Sequence, residues 1–211
     1  MRTRSTTRPT ARTAALGALL AIVLTLALDG VAQAGCGGVQ HARPAARARG
    51  YGRPPLVIGD SVLLGAVRQV AAEGFEVDTR GCRQLREGLD VVARRRHAGT
   101  LPHLVVLALG ANGSITPGGI REALRTIGRG RLLGLVTPRE TGGGESSDAR
   151  AIRAAGRRFP DRIRVLDWVR FSAGHGGWFA GDGLHLGPGG ARGLAQLLRR
   201  ALPLAVAPLC P

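Results

Sequence analysis

The stretch PPLVIGDSVLLGA, residues 54–66, decides the fold, because an apolar run stops at Gly-Asp-Ser and an apolar pattern with helical spacing follows it. The run Leu56–Ile58 is short and ends at a glycine, which favours a buried strand over a helix. A buried strand that passes through a tight turn into a helix is typical of α/β proteins. The domain is therefore predicted to begin near Pro54 with the first strand and the first helix of such a sheet.

The same alternation of short apolar runs and longer amphipathic stretches continues along the chain. Further strands are predicted in FEVDTR, HLVVLALG, RLLGLVTP and IRVLDWV. Helices are predicted at about residues 62–73, 83–97, 118–128, 147–159 and 188–202. Strands that alternate with helices in this way predict an α/β fold of three layers, with a flavodoxin-like, doubly wound parallel sheet of five strands in the middle. FEVDTR alternates apolar and polar residues and is predicted to be an exposed edge.

The N-terminal region does not have the pattern of a folded domain. Residues 1–34 resemble a secretory signal peptide, with four arginines, an apolar run over residues 14–28, and Ala-Gln-Ala at residues 32–34. The apolar run is shorter than the roughly 20 residues of a membrane-spanning helix, which favours cleavage over a permanent anchor. Residues 35–53 are predicted to be a flexible linker and residues 54–211 the folded domain. The protein is therefore expected to be secreted or located in the cell envelope.

The chain is strongly basic, with a formal net charge of +16, and all 30 of its basic residues are arginine. A net charge of this size is compatible with nucleic-acid binding. Aromatic residues make up only 3% of the chain, too few for the stacking platforms of single-strand binders. We therefore expect no specific nucleic-acid partner, but a solvated basic surface that suits anionic polymer or lipid of the envelope.

Ser61 follows the first predicted strand and precedes the first predicted helix. In an open parallel sheet, ligands bind beyond the carboxyl ends of the strands, at the point where the strand order reverses. A serine at that point is either an N-cap, which accepts a hydrogen bond from a first-turn amide, or a nucleophile beside the positive end of the helix. The presence of a base decides between the two interpretations.

The candidate base is His185 in WFAGDGLHLGPGG, residues 178–190, three residues after Asp182. An imidazole takes the proton of a serine, while a carboxylate fixes the tautomer and stabilises the imidazolium. The alternative is an Asp-His pair of a surface turn without a catalytic role. The other histidines are scattered and supply no third ligand at a recognised spacing, so no metal is expected. A serine nucleophile with its own base needs no organic cofactor, so none is expected either.

Two further residues are candidates for oxyanion stabilisation. Asn112 follows the third predicted strand in GANG, residues 110–113, and Gly81 follows the second. Both residue types are typical of turns. At the sheet edge that holds Ser61, however, the Asn112 side chain and the Gly81 backbone N–H would be placed to donate hydrogen bonds to an oxyanion.

Taken in chain order, Gly-Asp-Ser, Gly, Gly-x-Asn and Asp-x-x-His resemble the motifs of the SGNH/GDSL hydrolase family over nearly the whole predicted domain. The resemblance implies that Ser61 is the nucleophile, that His185 moves its proton and that Asp182 supports the histidine. It also implies an oxyanion hole made of the backbone amides of Ser61 and Gly81 and the side chain of Asn112.

The chain departs from the common family pattern in two places. Gly113 stands where many members have Asp, and Val62 replaces the commoner leucine after Gly-Asp-Ser. Both variants resemble the SGNH domains of cell-envelope acyltransferases, which act on O-acetyl groups of polysaccharide or peptidoglycan. The resemblance therefore implies a small-molecule or cell-wall carbohydrate ester as the substrate.

From these features we expect an exported serine esterase that hydrolyses short, O-acetyl-type esters. One alternative is an O-acyltransferase that uses the same residues and passes the acyl group to cell-wall carbohydrate. Sequence does not separate the two, because the outcome depends on how well the cleft excludes water. The other alternative is a non-catalytic, basic binding module of the cell envelope. A monomer is expected, although the oligomeric state stays open.

Three cysteines in an exported chain permit one disulfide and one odd thiol. We expect Cys82 to pair with Cys210, because such a bridge would stiffen the loop beside Gly81 and attach the C-terminal tail. Cys36, in the predicted linker, is the alternative partner. A third interpretation is that Cys82 is a small buried residue with a free thiol.

Overall fold

A computed structural model of the chain describes residues 36–45 and 53–205. The described residues form one mixed sheet of six strands with helices on both faces. The strands are β1 Val39–Ala42, β2 Leu56–Gly59, β3 Glu76–Arg80, β4 Leu104–Ala108, β5 Leu132–Val136 and β6 Ile163–Leu166. The helices are α1 Ser61–Leu64, α2 Val67–Glu73, α3 Leu85–His97, α4 Pro117–Ile127, α5 Ser147–Arg158, α6 Trp168–Phe171 and α7 Pro188–Arg199, and 3-10 turns cover Gly176–Trp178 and Leu202–Ala205.

The strand order is β1-β3-β2-β4-β5-β6, and strands β2 to β6 are all parallel. This arrangement confirms the predicted doubly wound sheet of five parallel strands. The order reverses at β2, because β3 pairs with one of its edges and β4 with the other. The loops after β2, β3 and β4 therefore leave the sheet side by side.

Successive residues of the central strands face opposite layers. Val57 packs with α1, α2 and α7 on one face of the sheet, while Ile58 packs with α3, α4 and α5 on the other. All three residues of Leu56–Ile58 are fully buried. A strand that is apolar on both faces is thus explained by two separate cores, one in each helical layer.

Part of the predicted linker is a strand, so the prediction for residues 35–53 was wrong in this part. β1 pairs antiparallel with β3, with Val39 opposite Arg80 and Ala42 opposite Val77. Three of the four β1 residues are exposed. An edge strand of this kind has little apolar patterning, because backbone hydrogen bonds hold it to the sheet more than burial does. Residues 46–52 lie outside the described part of the chain.

Because β1 covers it, β3 is not the exposed edge that its alternating pattern predicted. Its polar residues Asp78 and Thr79 are buried instead. Asp78 pairs with Arg83 at 2.7 Å, and the Thr79 hydroxyl donates to the Asp60 carbonyl oxygen at 2.7 Å. Polar residues in this strand therefore bind the neighbouring loops rather than face solvent.

The first predicted helix is divided into α1 and α2 at Gly65. A Cβ at this glycine would lie 3.3 Å from both the Cβ and the carbonyl oxygen of Leu186. The chain therefore packs closely against the segment that follows His185. The other four predicted helices are observed, with ends that differ by up to three residues.

The disulfide joins Cys82 to Cys36, with a Cα–Cα distance of 4.7 Å. The predicted pairing of Cys82 with Cys210 was therefore wrong. The physical reason is the strand pairing of β1 with β3, which brings the segment just before β1 next to the segment just after β3. Cys210 and the predicted signal peptide lie outside the described residues. Within the described ranges, no helix has the length and apolar character needed to cross a bilayer.

Candidate active site

Ser61 is the first residue of α1 and is 9% exposed. The N-cap of this helix is Asp60, whose Oδ1 accepts a hydrogen bond from the Val62 amide at 3.0 Å. The Ser61 hydroxyl is therefore not needed as a cap, which removes the structural explanation for a serine at this position. It is free to interact with the loop that carries His185.

Asp60 also joins two loops of the site. Its Oδ2 accepts a hydrogen bond from the Ala111 amide at 3.1 Å, beyond the end of β4. Burial raises the pKa of Asp60, and the amides of Val62 and Ala111 act in the opposite direction by stabilising the carboxylate. Asp60 thus fixes the distance between the Ser61 turn and the Asn112 loop.

His185 connects Ser61 with Asp182. Its Nε2 lies 3.0 Å from Ser61 Oγ, and its Nδ1 lies 2.5 Å from Asp182 Oδ2. The other Asp182 oxygen accepts hydrogen bonds from the Leu184 and His185 amides, at 2.9 and 3.0 Å. The hydrogen bond from His185, together with that from the Leu184 amide, lowers the pKa of Asp182 to about 2. The carboxylate is therefore ionised at neutral pH, and the structure brings together the three residues that the motifs singled out.

The loop after β5 packs against the loop that carries Asp182. The Gly142 amide donates to the Asp182 carbonyl oxygen at 2.6 Å, and Arg139 Nε donates to the Gly183 carbonyl oxygen at 3.3 Å. The Arg139 guanidinium also lies 4.2 Å from the centre of the Phe179 ring. Burial lowers the pKa of Arg139, although the group stays cationic at neutral pH. Sequence patterns did not indicate Arg139, since it is one of many arginines outside any motif.

Asn112 lies in the loop after β4 with its Nδ2 buried and without a hydrogen-bond partner among the described residues. An unpaired buried donor is unfavourable unless a group absent from the resting protein accepts its bond. The same loop is fixed at Ile115, whose amide donates to Asp148 Oδ2 at 2.6 Å. The Asn112 amide thus has no competing acceptor among the described residues and is available to an oxyanion.

Gly81 does not have the free amide that its expected role requires. Its N–H donates to the Gly38 carbonyl oxygen at 3.0 Å, in continuation of the β1–β3 pairing. The structure therefore places Gly81 beside the site, but gives its amide another acceptor.

A buried ion pair that no motif indicated contacts the end of the strand that leads into Ser61. Arg83 and Asp78 pair at 2.7 Å, and their side chains are only 6% and 7% exposed. Arg83 Nη1 also donates to the carbonyl oxygens of Asp78 and Gly59, at 2.7 and 3.2 Å. Since Gly59 ends β2, Arg83 ties the loop after β3 to the strand that leads into Ser61.

An open cleft of about 310 Å³ adjoins the site, between the loops at residues 110–114 and 139–148. Side chains that can exchange hydrogen bonds with an alcohol line it, among them Ser114, Glu140 and Thr141. Among the described residues, no group of three or more His, Cys, Asp or Glu side chains is arranged to hold a metal ion. The arrangement at Ser61 thus offers a nucleophile, a base and a donor next to a polar cleft.

Comparisons with known proteins identify relatives in sequence and in fold. No protein-family model matches the sequence. The O-acetyltransferase OatA of Staphylococcus aureus is 30% identical to the chain over 153 residues, which are 70% of the chain and 25% of that protein. The chain thus spans about a quarter of the length of the curated relatives that it matches.

Solved structures of the same fold extend the comparison. The C-terminal catalytic domain of peptidoglycan O-acetyltransferase A from Streptococcus pneumoniae, determined with a methylsulfonyl adduct, superposes with a TM-score of 0.61 and 24% identity over 72% of the chain and 93% of that domain. A lipase/acylhydrolase from Enterococcus faecalis superposes with a TM-score of 0.53 and 22% identity, over 75% of the chain and 100% of that protein. The chain therefore has the SGNH/GDSL hydrolase fold and is a sequence relative of the O-acetyltransferases, as the order of its motifs predicted.

Proposed function

We propose that the domain breaks short, O-acetyl-type esters through a triad of Ser61, His185 and Asp182. The observation that carries the proposal is the continuous contact from Ser61 Oγ through both ring nitrogens of His185 to Asp182. A capping serine and a surface turn pair have no reason to meet in this way, since they are 124 residues apart in the chain. The distance of 3.0 Å between Ser61 Oγ and His185 Nε2 is that of a hydrogen bond.

In the proposed mechanism, Ser61 Oγ attacks the ester carbonyl carbon while His185 Nε2 takes its proton. Asp182 stabilises the resulting imidazolium and keeps the ring oriented. The negative charge that develops on the carbonyl oxygen is stabilised by the Asn112 side chain and by the backbone amide of Ser61, which is the first main-chain donor of the oxyanion hole. His185 then gives its proton to the leaving alkoxide, which leaves an acyl group on Ser61.

The acyl group leaves Ser61 by one of two routes. Water, activated by His185, releases the free acid, and the domain then acts as an esterase. A carbohydrate hydroxyl in the same place accepts the acyl group, and the domain then acts as an O-acyltransferase. The second route is favoured by the named activity of the relatives and by the polar lining of the cleft at residues 110–114 and 139–148.

The test of the proposal is covalent labelling combined with turnover. Methanesulfonyl fluoride should add one methylsulfonyl group, on Ser61, and p-nitrophenyl acetate should be turned over faster than longer esters. Ser61→Ala should show neither reaction. If the wild-type protein gives no adduct and no turnover above Ser61→Ala, the proposal is wrong.

An experiment that distinguishes the two routes must supply a hydroxyl compound that can accept the acetyl group. The acetyl-enzyme formed from p-nitrophenyl acetate is offered an oligosaccharide of N-acetylglucosamine, and mass spectrometry compares acetylated sugar with free acetate. An esterase releases acetate at the same rate with and without the sugar, whereas a transferase yields acetylated sugar.

We further propose that the domain acts as a monomer in the cell envelope or outside the cell, where its basic surface suits anionic polymers.

A further inference from the structure

The loop after β3 contains two consecutive backbone amides with different surroundings. The Gly81 amide donates to the Gly38 carbonyl oxygen, so an oxyanion would have to displace that bond. The Cys82 amide, by contrast, has no hydrogen bond within the described part of the chain. Of the two amides, only that of Cys82 is free to donate a hydrogen bond to a new acceptor.

Contacts on both sides of Cys82 fix this loop to the Ser61 turn. Before it, the Thr79 hydroxyl donates to the Asp60 carbonyl oxygen at 2.7 Å. After it, Arg83 donates to the Gly59 carbonyl oxygen at 3.2 Å. Cys82 therefore lies on a segment attached at both ends to the residues that directly precede Ser61.

The backbone of Cys82 has a φ of +57°, the one positive φ of a non-glycine residue in the described ranges. This left-handed conformation is unfavourable for residues with a Cβ and persists where the surroundings impose it. Here the disulfide to Cys36 supplies the constraint, because Cys36 leads into β1 and β1 is paired with β3. The crosslink thus acts on the residue whose amide is free.

We propose that the backbone amide of Cys82, and not that of Gly81, is the second main-chain donor of the oxyanion hole, and that the Cys36–Cys82 disulfide is its positioning device. The inference rests on the proposed function, since it concerns the charge that forms when Ser61 attacks an ester. It makes Cys36 a positioning residue that acts through Cys82 and touches no substrate.

Two disulfide-free variants separate positioning from stability. Cys36→Ser removes the crosslink and leaves the Cβ of Cys82, so the left-handed conformation loses its support. Cys36→Ser/Cys82→Gly also lacks the crosslink, but glycine adopts a positive φ without strain. We expect Cys36→Ser to lower kcat by about tenfold to a hundredfold with little change in KM, since one oxyanion donor contributes roughly 10²–10³ to kcat. The double variant should recover most of that loss.

Thermal unfolding of both variants is the control, because both lose the same crosslink. A purely structural disulfide would affect the two variants alike, and their kcat values would then fall together or stay together. Equal kcat in the two variants, or an unchanged kcat in Cys36→Ser, overturns the inference.

A direct readout uses the wild-type protein labelled with nitrogen-15. Reaction with a phosphonate ester places a negatively polarised oxygen at the position of the oxyanion. The Cys82 amide proton should then shift downfield in the spectrum, while the Gly81 amide should stay unchanged. A shift at Gly81 without one at Cys82 overturns the inference but leaves the proposed function intact. The proposed function fails, and this inference with it, if the phosphonate does not react with Ser61.

Discussion

The two sides of the site are built in different ways. On the histidine side, Asp182 orients His185 through contacts within three residues, and the whole unit belongs to one loop. On the oxyanion side, the loop at residues 81–84 depends on an edge strand, a buried ion pair and a disulfide that joins residues 46 positions apart. The base is therefore organised locally, whereas the donors depend on long-range contacts.

The largest expected effect follows from removing the nucleophile or the base of the histidine side. Ser61→Ala and His185→Ala should each lower kcat by about four orders of magnitude or more, with the domain still folded, because each removes the nucleophile or its base. The double variant should be hardly slower than either single variant, since the two residues act as a unit. The rate of p-nitrophenyl acetate hydrolysis gives kcat for the three variants and the wild-type protein.

A matched control for His185 is His97→Ala at the exposed end of α3, which should keep wild-type turnover. Near-normal activity in a folded Ser61→Ala protein would refute the triad. A double variant that is slower by the product of the two single effects would show that the residues act independently.

The next largest effect on kcat is expected on the oxyanion side. Asn112→Ala removes the buried, unpaired amide and should lower kcat by roughly two to three orders of magnitude at nearly constant KM. Steady-state kinetics on the same ester give both constants. A rise in KM at constant kcat would instead assign Asn112 to binding of the ground state.

The same contrast explains what could be predicted from the sequence. Strands β2, β4 and β5 are apolar throughout, so the parallel sheet was predicted correctly. The motifs around Ser61 and His185 are short and local, and the fold brings these two side chains into contact. A buried strand is visible in a few consecutive apolar residues. The position of a site at the carboxyl ends of parallel strands follows from a general rule of such sheets.

The oxyanion side was not predictable in the same way. β1 has three exposed residues among four and no apolar period, so nothing local distinguishes it from a linker. Its pairing with β3 determines both the partner of Cys82 and the occupation of the Gly81 amide. Arg83, one of many arginines, becomes recognisable only when its burial with Asp78 is known.

The buried pair offers a test of stability on that side. Arg83→Met leaves the Asp78 carboxylate buried without its main partner, with His41 Nδ1 still 3.4 Å away, and should lower the free energy of unfolding by about 3 kcal/mol. Denaturant unfolding measures the loss. The matched control is Arg86→Met on the exposed surface of α3, where a change within about 0.5 kcal/mol is expected. Equal losses in both variants would mean that the buried pair does not support the loop.

The smallest effect is a pH dependence on the histidine side. The pKa of Asp182 is lowered from 3.8 to about 2, chiefly by the hydrogen bond from His185 and then by that from the Leu184 amide. Because the folded protein has the lower pKa, the ionised carboxylate stabilises the fold above about pH 4, and this contribution is lost as the pH falls towards 2.

The difference in free energy of unfolding between the wild-type protein and Asp182→Asn should therefore shrink over that interval, as denaturant unfolding at pH 5, 4 and 3 would show. The effect should be small, because the side chain is 37% exposed and water screens its interactions. A difference that stays constant across the interval would mean that the Asp182 carboxylate titrates alike in the folded and unfolded protein. The local contacts of the histidine side would then orient the base without adding to the stability of the fold.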